Sequence, residues 1–204
     1  MSWYRRHILP HLVDLGMRQE RLSAYRRRLL SDAEGRVLEI GVGSGLNLQF
    51  YGPATSELLA LDPSPELLAM ARKAAPAAPF PVAWLEASAE AIPLASHSVD
   101  TAVSTWTLCS VPDAARALAE IRRVLKPGGR LLFVEHGRAP DASVRWWQDQ
   151  LTPLWKHVAG GCHLNRAAPD LVEAAGFRIA RLETGYMPGP RPLTFMYEGR
   201  ARIA

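Results

Sequence analysis

One stretch, Glu39-Ile40-Gly41-Val42-Gly43-Ser44-Gly45, limits what this chain can fold into more than any other. Glycine recurs at every second position directly after the apolar run Arg36-Val37-Leu38-Glu39-Ile40. A short buried strand therefore stops at Ile40 and the chain turns tightly toward a following helix. A backbone stripped of Cβ atoms also lets a ligand approach its amides. In open α/β sheets such ligands lie at the carboxyl ends of the strands, which is where this loop sits.

The remaining pattern agrees with an α/β sheet. Ile8, Leu12, Leu15, Leu22, Tyr25 and Leu29 recur at spacings of three, four and seven, predicting an amphipathic helix or helix pair at the start. Strands are expected at 36–40, 57–61, 81–86, 99–104 and 130–135. A helix after Asp62-Pro63-Ser64-Pro65 carries Leu67, Leu68, Met70 and Ala71, and another, 114–125, stops at Lys126-Pro127-Gly128-Gly129. Segments 177–183 and 193–203 alternate like strands around the turn Met187-Pro188-Gly189-Pro190. The expected fold is Rossmann-like: a seven-stranded, mostly parallel sheet with helices on both faces and a C-terminal antiparallel hairpin. The 204 residues read as a single domain, with a helical cap at 1–31, a cofactor core at 36–135, and substrate-side helices with the hairpin at 136–204.

Composition narrows the setting. The two cysteines, Cys109 and Cys162, are too few for a disulfide scaffold and fit a reducing, cytoplasmic compartment. Apolar runs such as Leu131-Leu132-Phe133-Val134 are too short to span a membrane, and Pro10, His11 and Asp14 interrupt any leader-like run. The preference for arginine over lysine, with many alanines, suits a GC-rich bacterial genome. The net charge of +4 is unevenly placed. Residues 1–31 hold seven arginines against Asp14 and Glu20, or +5, while the other 17 basic and 18 acidic residues leave the body at −1. Nucleic acid is therefore not an expected partner, since phosphate binding needs clustered positive charge around the site. The basic opening segment is expected to cap the cofactor site, with peripheral contact to an anionic membrane as its alternative role.

Two cofactors compete for the glycine loop. A dinucleotide site wants Gly-x-Gly-x-x-Gly and a helix N-terminus facing the pyrophosphate. Here the third glycine falls one position early, and Glu39 stands just before the loop. An acidic neighbour suits the sulfonium and ammonium of S-adenosylmethionine better than a pyrophosphate. Asp62, at the tip of the second strand, is placed to accept two hydrogen bonds from a ribose diol, or else to cap the next helix.

With these residues in view, the chain resembles the class I S-adenosylmethionine-dependent methyltransferases over residues 36–135. The likeness is carried by Val37-Leu38-Glu39-Ile40-Gly41-Val42-Gly43-Ser44-Gly45, Leu61-Asp62-Pro63-Ser64, Ala89-Glu90-Ala91-Ile92-Pro93 and Ile121-Arg122-Arg123-Val124-Leu125-Lys126-Pro127-Gly128-Gly129. It implies that Glu39, Gly41, Gly43 and Gly45 hold the methionine end, with Asn47 and Thr105 beside them. Asp62 and Pro63 would take the ribose, and Ser88, Ala89 and Glu90 the adenine edge; many relatives carry Asp where this chain has Ser88. The implied product is S-adenosylhomocysteine. A narrower resemblance, to the animal methyltransferase-like proteins that methylate alkyl thiols, rests on further motifs. These are Ser104-Thr105-Trp106-Thr107-Leu108-Cys109-Ser110-Val111, Glu135-His136, Trp147-Gln148, Pro153-x-Trp155-Lys156-His157 and Gly161-Cys162-x-Leu164-x-Arg166. It implies a small apolar thiol as acceptor. Those animal proteins carry a hydrophobic membrane anchor, which has no counterpart in this sequence, so their membrane residence and xenobiotic substrates are not expected to carry over.

Methyl transfer is an in-line displacement at carbon, in which the protein chiefly aligns the partners. His136, at the end of the fifth strand, is the first candidate for a base; His157 and His163 come after it. Trp106, Trp147, Trp155 and His163 are candidate walls of an acceptor pocket. Cys162 is expected as a small buried residue, and no metal is expected, since Pro10 stands between His7 and His11 and no cysteine is near them. The alternatives are an amine or phospholipid N-methyltransferase, a small-molecule O-methyltransferase, and a cofactor-binding regulator without catalysis.

Overall fold

A computed structural model describes residues 3–204, except the side chains of Arg5, Arg6 and Ala77, so two arginines of the basic opening segment lie outside the described side chains. The chain opens with α1 (Trp3–His7), α2 (Leu9–Met17) and α3 (Glu20–Leu30). It continues through β1 (Gly35–Ile40), β2 (Thr55–Asp62), α4 (Pro65–Ala74), β3 (Val82–Glu86), β4 (Val99–Thr105) and α5 (Ala114–Val124). Then come β5 (Leu125–His136), α6 (Ala142–Val158), α7 (Ala168–Ala174), β6 (Phe177–Tyr186), α8 (Arg191–Thr194) and β7 (Phe195–Ile203). One seven-stranded sheet runs in the order β3-β2-β1-β4-β5-β7-β6. The first five strands are parallel, and β7 is antiparallel to both β5 and β6.

The strand order explains where a ligand can sit. From β1 the chain moves outward to β2 and β3, then returns across β1 to β4. The connections leave the ends of β1 and β4 in opposite directions, opening a crevice between them. Both faces of the sheet are covered. Leu29 and Leu30 of α3 and Leu68 of α4 pack with Val37, Val103, Leu132 and Val134. Leu118 and Ile121 of α5 and Val172 of α7 pack with Ile40, Ala102 and Phe133 on the other face. Each such fully buried side chain stabilises the fold by about 1.5–3 kcal/mol.

Four local features differ from expectation. The opening segment forms three helices, interrupted at Ile8 between α1 and α2 and at the extended Gln19 between α2 and α3. The glycine loop leads into a three-residue 3₁₀ turn, Leu48–Phe50, and not into an α-helix; Gly52 and Pro53 follow at once. The fifth strand starts at Leu125, and Lys126–Gly129 loop out of the ladder, since Val99 pairs with Leu125 but Thr101 with Arg130. The hairpin is joined through α8, so its second strand starts at Phe195 and not at Leu193.

The antiparallel addition is seated by one close contact. Gly199 of β7 pairs with Phe133 of β5, and a Cβ at position 199 would stand 2.1 Å from the Phe133 ring. Phe133 is fully buried, so its ring has nowhere to move. Gly199→Ala should therefore lower stability by about 1–3 kcal/mol through overpacking. Urea denaturation measures this, and adding Phe133→Leu should recover part of the loss.

Candidate functional site

The glycine loop is held from below by buried polar side chains. Glu39, at the end of β1, accepts from Asn47 Nδ2 at 2.7 Å and from the Tyr51 hydroxyl at 2.8 Å. Asn47 also donates to Thr105 Oγ1 of β4 at 2.9 Å and accepts from Arg26 Nε of α3 at 2.9 Å. Arg26 is itself buried, its guanidinium 4.8 Å from the centroid of the Trp106 ring. Burial pushes the Glu39 carboxyl up to about 7, against the lowering effect of Tyr51, Asn47 and Arg26. Burial likewise pulls Arg26 down to about 10, with Glu39 opposing. Of the predicted methionine-end residues, Glu39, Asn47 and Thr105 thus meet in one network beneath the loop.

All three motif glycines have left-handed backbone conformations, with φ of 66° at Gly41, 56° at Gly43 and 81° at Gly45. The space beside them differs. A Cβ on Gly41 would meet the Thr107 side chain at 2.2 Å, and one on Gly45 would meet Ala71 of α4 at 3.0 Å. A Cβ on Gly43 would meet only the Gly41 carbonyl oxygen, at 3.9 Å. The first and third glycines therefore serve packing, and the middle one leaves backbone open to a ligand.

Asp62 sits beside that open glycine. Its carboxylate accepts from the Gly43 amide at 3.0 Å and the Ser64 amide at 2.9 Å. Burial raises its pKa, while those two amides lower it. Two further lone-pair directions remain for a diol. The cap of α4 is Ser64, whose hydroxyl accepts from the Leu67 amide, so Asp62 is not needed for that role. At the next strand end Ser88 Oγ accepts from the Glu90 amide at 3.2 Å and donates to Glu90 Oε2 at 3.1 Å. Ala89 is buried beside them and Pro63 is exposed.

The opening helices lie on this loop. Asp14 of α2 accepts from Ser44 Oγ at 2.6 Å and pairs with Arg18 at 2.7 Å, and these partners outweigh burial to hold its carboxyl below the usual range. Tyr4 donates to the Val158 carbonyl at the end of α6 at 2.9 Å. A groove of about 660 Å³ runs between α2 and α4, lined among others by His11, Arg18, Gly45, Met70 and Lys73. Asp62, Ser88 and Thr105 are not in its wall.

On the other side of the crevice, Glu135 of β5 is buried and serves the turn after β4. It accepts from Ser104 Oγ at 2.7 Å, from the Thr107 and Leu108 amides at 3.0 Å each, and from the Cys109 amide at 3.3 Å. Burial pushes it up to about 8, with the charge on Cys109 adding to the effect. His136 points Nε2 at Cys162 Sγ, 2.8 Å away, and Cys109 completes a cluster whose ligand atoms lie within 4.8 Å of one another. His163 Nδ1 lies 3.2 Å from the Cys109 carbonyl oxygen, and His157 faces the Pro153 carbonyl on the exposed side of α6. The candidate tryptophans are not brought together. Trp106 lies edge-on to Tyr25 and under Arg26, Trp155 packs with Cys109 and Cys162, and Trp147 is 52% exposed against Trp146. Missed in the sequence were Arg26, Tyr51 and the Cys109–His136–Cys162 grouping. Arg26 reads as one more surface cation there, and the grouping has no short ligand spacing.

The cofactor region and most of the sheet coincide with a known family. Residues 38–133 match the family model described as "Methyltransferase domain". The thiol S-methyltransferase TMT1B of Homo sapiens is 37% identical over 179 residues, covering 83% of this chain and 70% of that protein. TMT1B of Rattus norvegicus is 38% identical over 164 residues, covering 77% of this chain and 65% of the rat protein, so this chain spans under two thirds of the rat protein's length. The crystal structure of an S-adenosylmethionine-dependent methyltransferase from Aquifex aeolicus superposes with a TM-score of 0.68 at 18% identity, covering 96% of this chain and 98% of that one. This chain belongs to the class I S-adenosylmethionine-dependent methyltransferases. Its expected fold class stands, and no helix among the described residues is long and apolar enough to cross a membrane.

The buried Glu39 has a measurable consequence. A carboxyl whose pKa is raised by folding holds its proton in the native state, so its contribution favours folding below the unfolded value of about 4.5 and is lost as pH rises toward about 7. Glu39→Gln should flatten the fall in stability across that window, by at most about 1.4 kcal/mol per pH unit. Denaturant titrations at several pH values compare the two proteins, and parallel curves would show that Glu39 stays ionised throughout.

Proposed function

We propose that this protein transfers the methyl group of S-adenosylmethionine to the sulfur of a small, rather apolar thiol. The observation that carries the reading is the 37% identity to human thiol S-methyltransferase TMT1B, which runs over 179 residues and so well past the cofactor core. The cofactor would lie over the open Cα face of Gly43, whose amide is bound to Asp62, with its ribose diol on the remaining lone pairs of Asp62 and its adenine near Ser88 and Ala89. In the transfer, a thiolate lone pair forms the new carbon–sulfur bond in line with the breaking methyl–sulfonium bond. The released electron pair neutralises the sulfonium, giving S-adenosylhomocysteine and a thioether. The thiol proton leaves before this step, and with a thiol pKa near 8.5 solvent suffices as its acceptor. His136 stands at the right strand end, but its Nε2 is already turned to Cys162.

Methyl transfer to a lipid amine is the second reading, supported by the surface. Trp3, Leu12 and Leu15 on α1 and α2, with Trp146, Trp147 and Leu154 on α6, are all more than half exposed. The Tyr4–Val158 bond joins α1 to α6, and exposed apolar side chains on both helices suit a lipid surface.

Purified protein should release S-adenosylhomocysteine from S-adenosylmethionine when given alkyl thiols, with kcat/KM rising as pH approaches the acceptor's pKa. Turnover confined to phosphatidylethanolamine liposomes would replace the thiol reading with the lipid one. Cofactor binding with no turnover on thiols, amines, phenols or liposomes would favour a regulator. Asp62→Ala should weaken S-adenosylmethionine binding by roughly 10- to 150-fold, the worth of losing charge-assisted hydrogen bonds. Wild-type affinity in that variant, measured calorimetrically, would remove Asp62 from the ribose site.

A further inference from the structure

Cys109 comes from the turn after β4, His136 from the end of β5 and Cys162 from the loop after α6. Their two sulfurs and one imidazole nitrogen converge to within 4.8 Å, with His136 Nε2 and Cys162 Sγ 2.8 Å apart. Both cysteines are buried, and His136 is half-buried, leaving an approach from its side. We propose that Cys109, His136 and Cys162 form a Cys₂His binding site for a thiophilic divalent cation, zinc in the first place.

The dimensions fit. With Zn–S of about 2.3 Å and Zn–N of about 2.0 Å, a tetrahedral ion sets N···S near 3.5 Å and S···S near 3.8 Å. Ligand atoms already within 4.8 Å need only small shifts to reach that triangle. The chemistry selects the ion, because two thiols and an imidazole suit zinc and disfavour magnesium or calcium. Three protein ligands leave the fourth position for water or another exogenous donor.

The surroundings support the ligands as a second layer would. Trp155 Nε1 donates to Cys162 Sγ at 3.3 Å, and the Ser110 hydroxyl lies 3.4 Å from Cys109 Sγ. The two loops are locked in register: the His163 amide donates to the Cys109 carbonyl at 2.8 Å, and a Cβ on Gly161 would stand 2.8 Å from the Ser110 carbonyl oxygen. Glu135 fixes the Cys109 amide, and Arg166 Nη1 donates to the Leu108 and Val111 carbonyls at 2.6 Å each. In the metal-bound state both cysteines are thiolates. Two thiolates, a neutral imidazole and a divalent cation then sum to no net charge, which burial favours.

The test uses the whole chain, reduced, stripped with chelator and kept free of oxygen. Titration with Co²⁺ should saturate at one equivalent with a thiolate-to-metal charge-transfer band in the near ultraviolet and strong tetrahedral d–d bands. Zn²⁺ should bleach both and protect the two cysteines from a chromogenic disulfide reagent. Cys162→Ser should roughly halve the charge-transfer band. Trp155→Phe, which keeps all three ligands and spares the fold, should weaken Zn²⁺ binding about 10-fold or more. Absence of a charge-transfer band in folded protein whose two thiols are free overturns the site. So does recovery of Cys109 and Cys162 as a disulfide that forms in air despite saturating Zn²⁺. These readouts are independent of the methyl acceptor, so they stand or fall apart from the thiol reading.

Discussion

The side-chain amide of Asn47 joins the parts on which this site depends. It ties the end of β1 through Glu39, the end of β4 through Thr105, and α3 through Arg26. Two neighbouring strands that part company at their carboxyl ends would leave a wet gap at the bottom of the crevice. Here the gap is closed by a polar network in which the amide's donors and its acceptor all find partners, as buried polar groups require. The glycine loop rests on that floor, and a middle glycine free of neighbours then faces whatever fills the crevice. Arg26 and Glu39 on either side of the amide each favour the other's charged form, but burial outweighs that attraction, raising the carboxyl to about 7 and lowering the guanidinium to about 10.

The other half of the crevice follows the same logic with a different carboxylate. Glu135 of β5 collects three consecutive backbone amides of the turn after β4, much as a helix cap collects its free donors. That turn carries Trp106 toward α3 and Cys109 toward α6, so a buried acid sets the positions of side chains reaching into two separate regions. The antiparallel β7 closes the edge beside it, seated by Gly199 over the Phe133 ring.

How much of this could be read in the sequence depends on range. The glycine loop, the parallel strands and the hairpin announce themselves through local spacing and turn residues, and the structure has them within a few residues. Local rules also explain the misses. Nothing near Leu46 signals that Gly52-Pro53 would cut the next helix down to one 3₁₀ turn. Trp147 follows helical spacing that fits either a pocket or an outer face, and only the packing of α6 decides for the surface. Arg26 is one of three consecutive arginines, and its burial depends on Asn47 and Trp106, far along the chain. The Cys109–His136–Cys162 grouping is invisible for the same reason, since α5 and β5 separate the first two members in the chain and α6 separates the last two.

The contact between α2 and the glycine loop is slight compared with the floor beneath it. Pro10 is the buried residue of α2, and the Asp14–Ser44 bond is a single hydrogen bond to a charged group, worth about 1.5–3 kcal/mol. The sheet, with its filled faces, opens only at a cost near that of global unfolding, whereas α2 can detach while everything below stays native. Amide protons of α2 should thus be among the first to exchange with solvent. The loop would be uncovered many times during the lifetime of the intact sheet, giving a small molecule repeated access without disturbing the core.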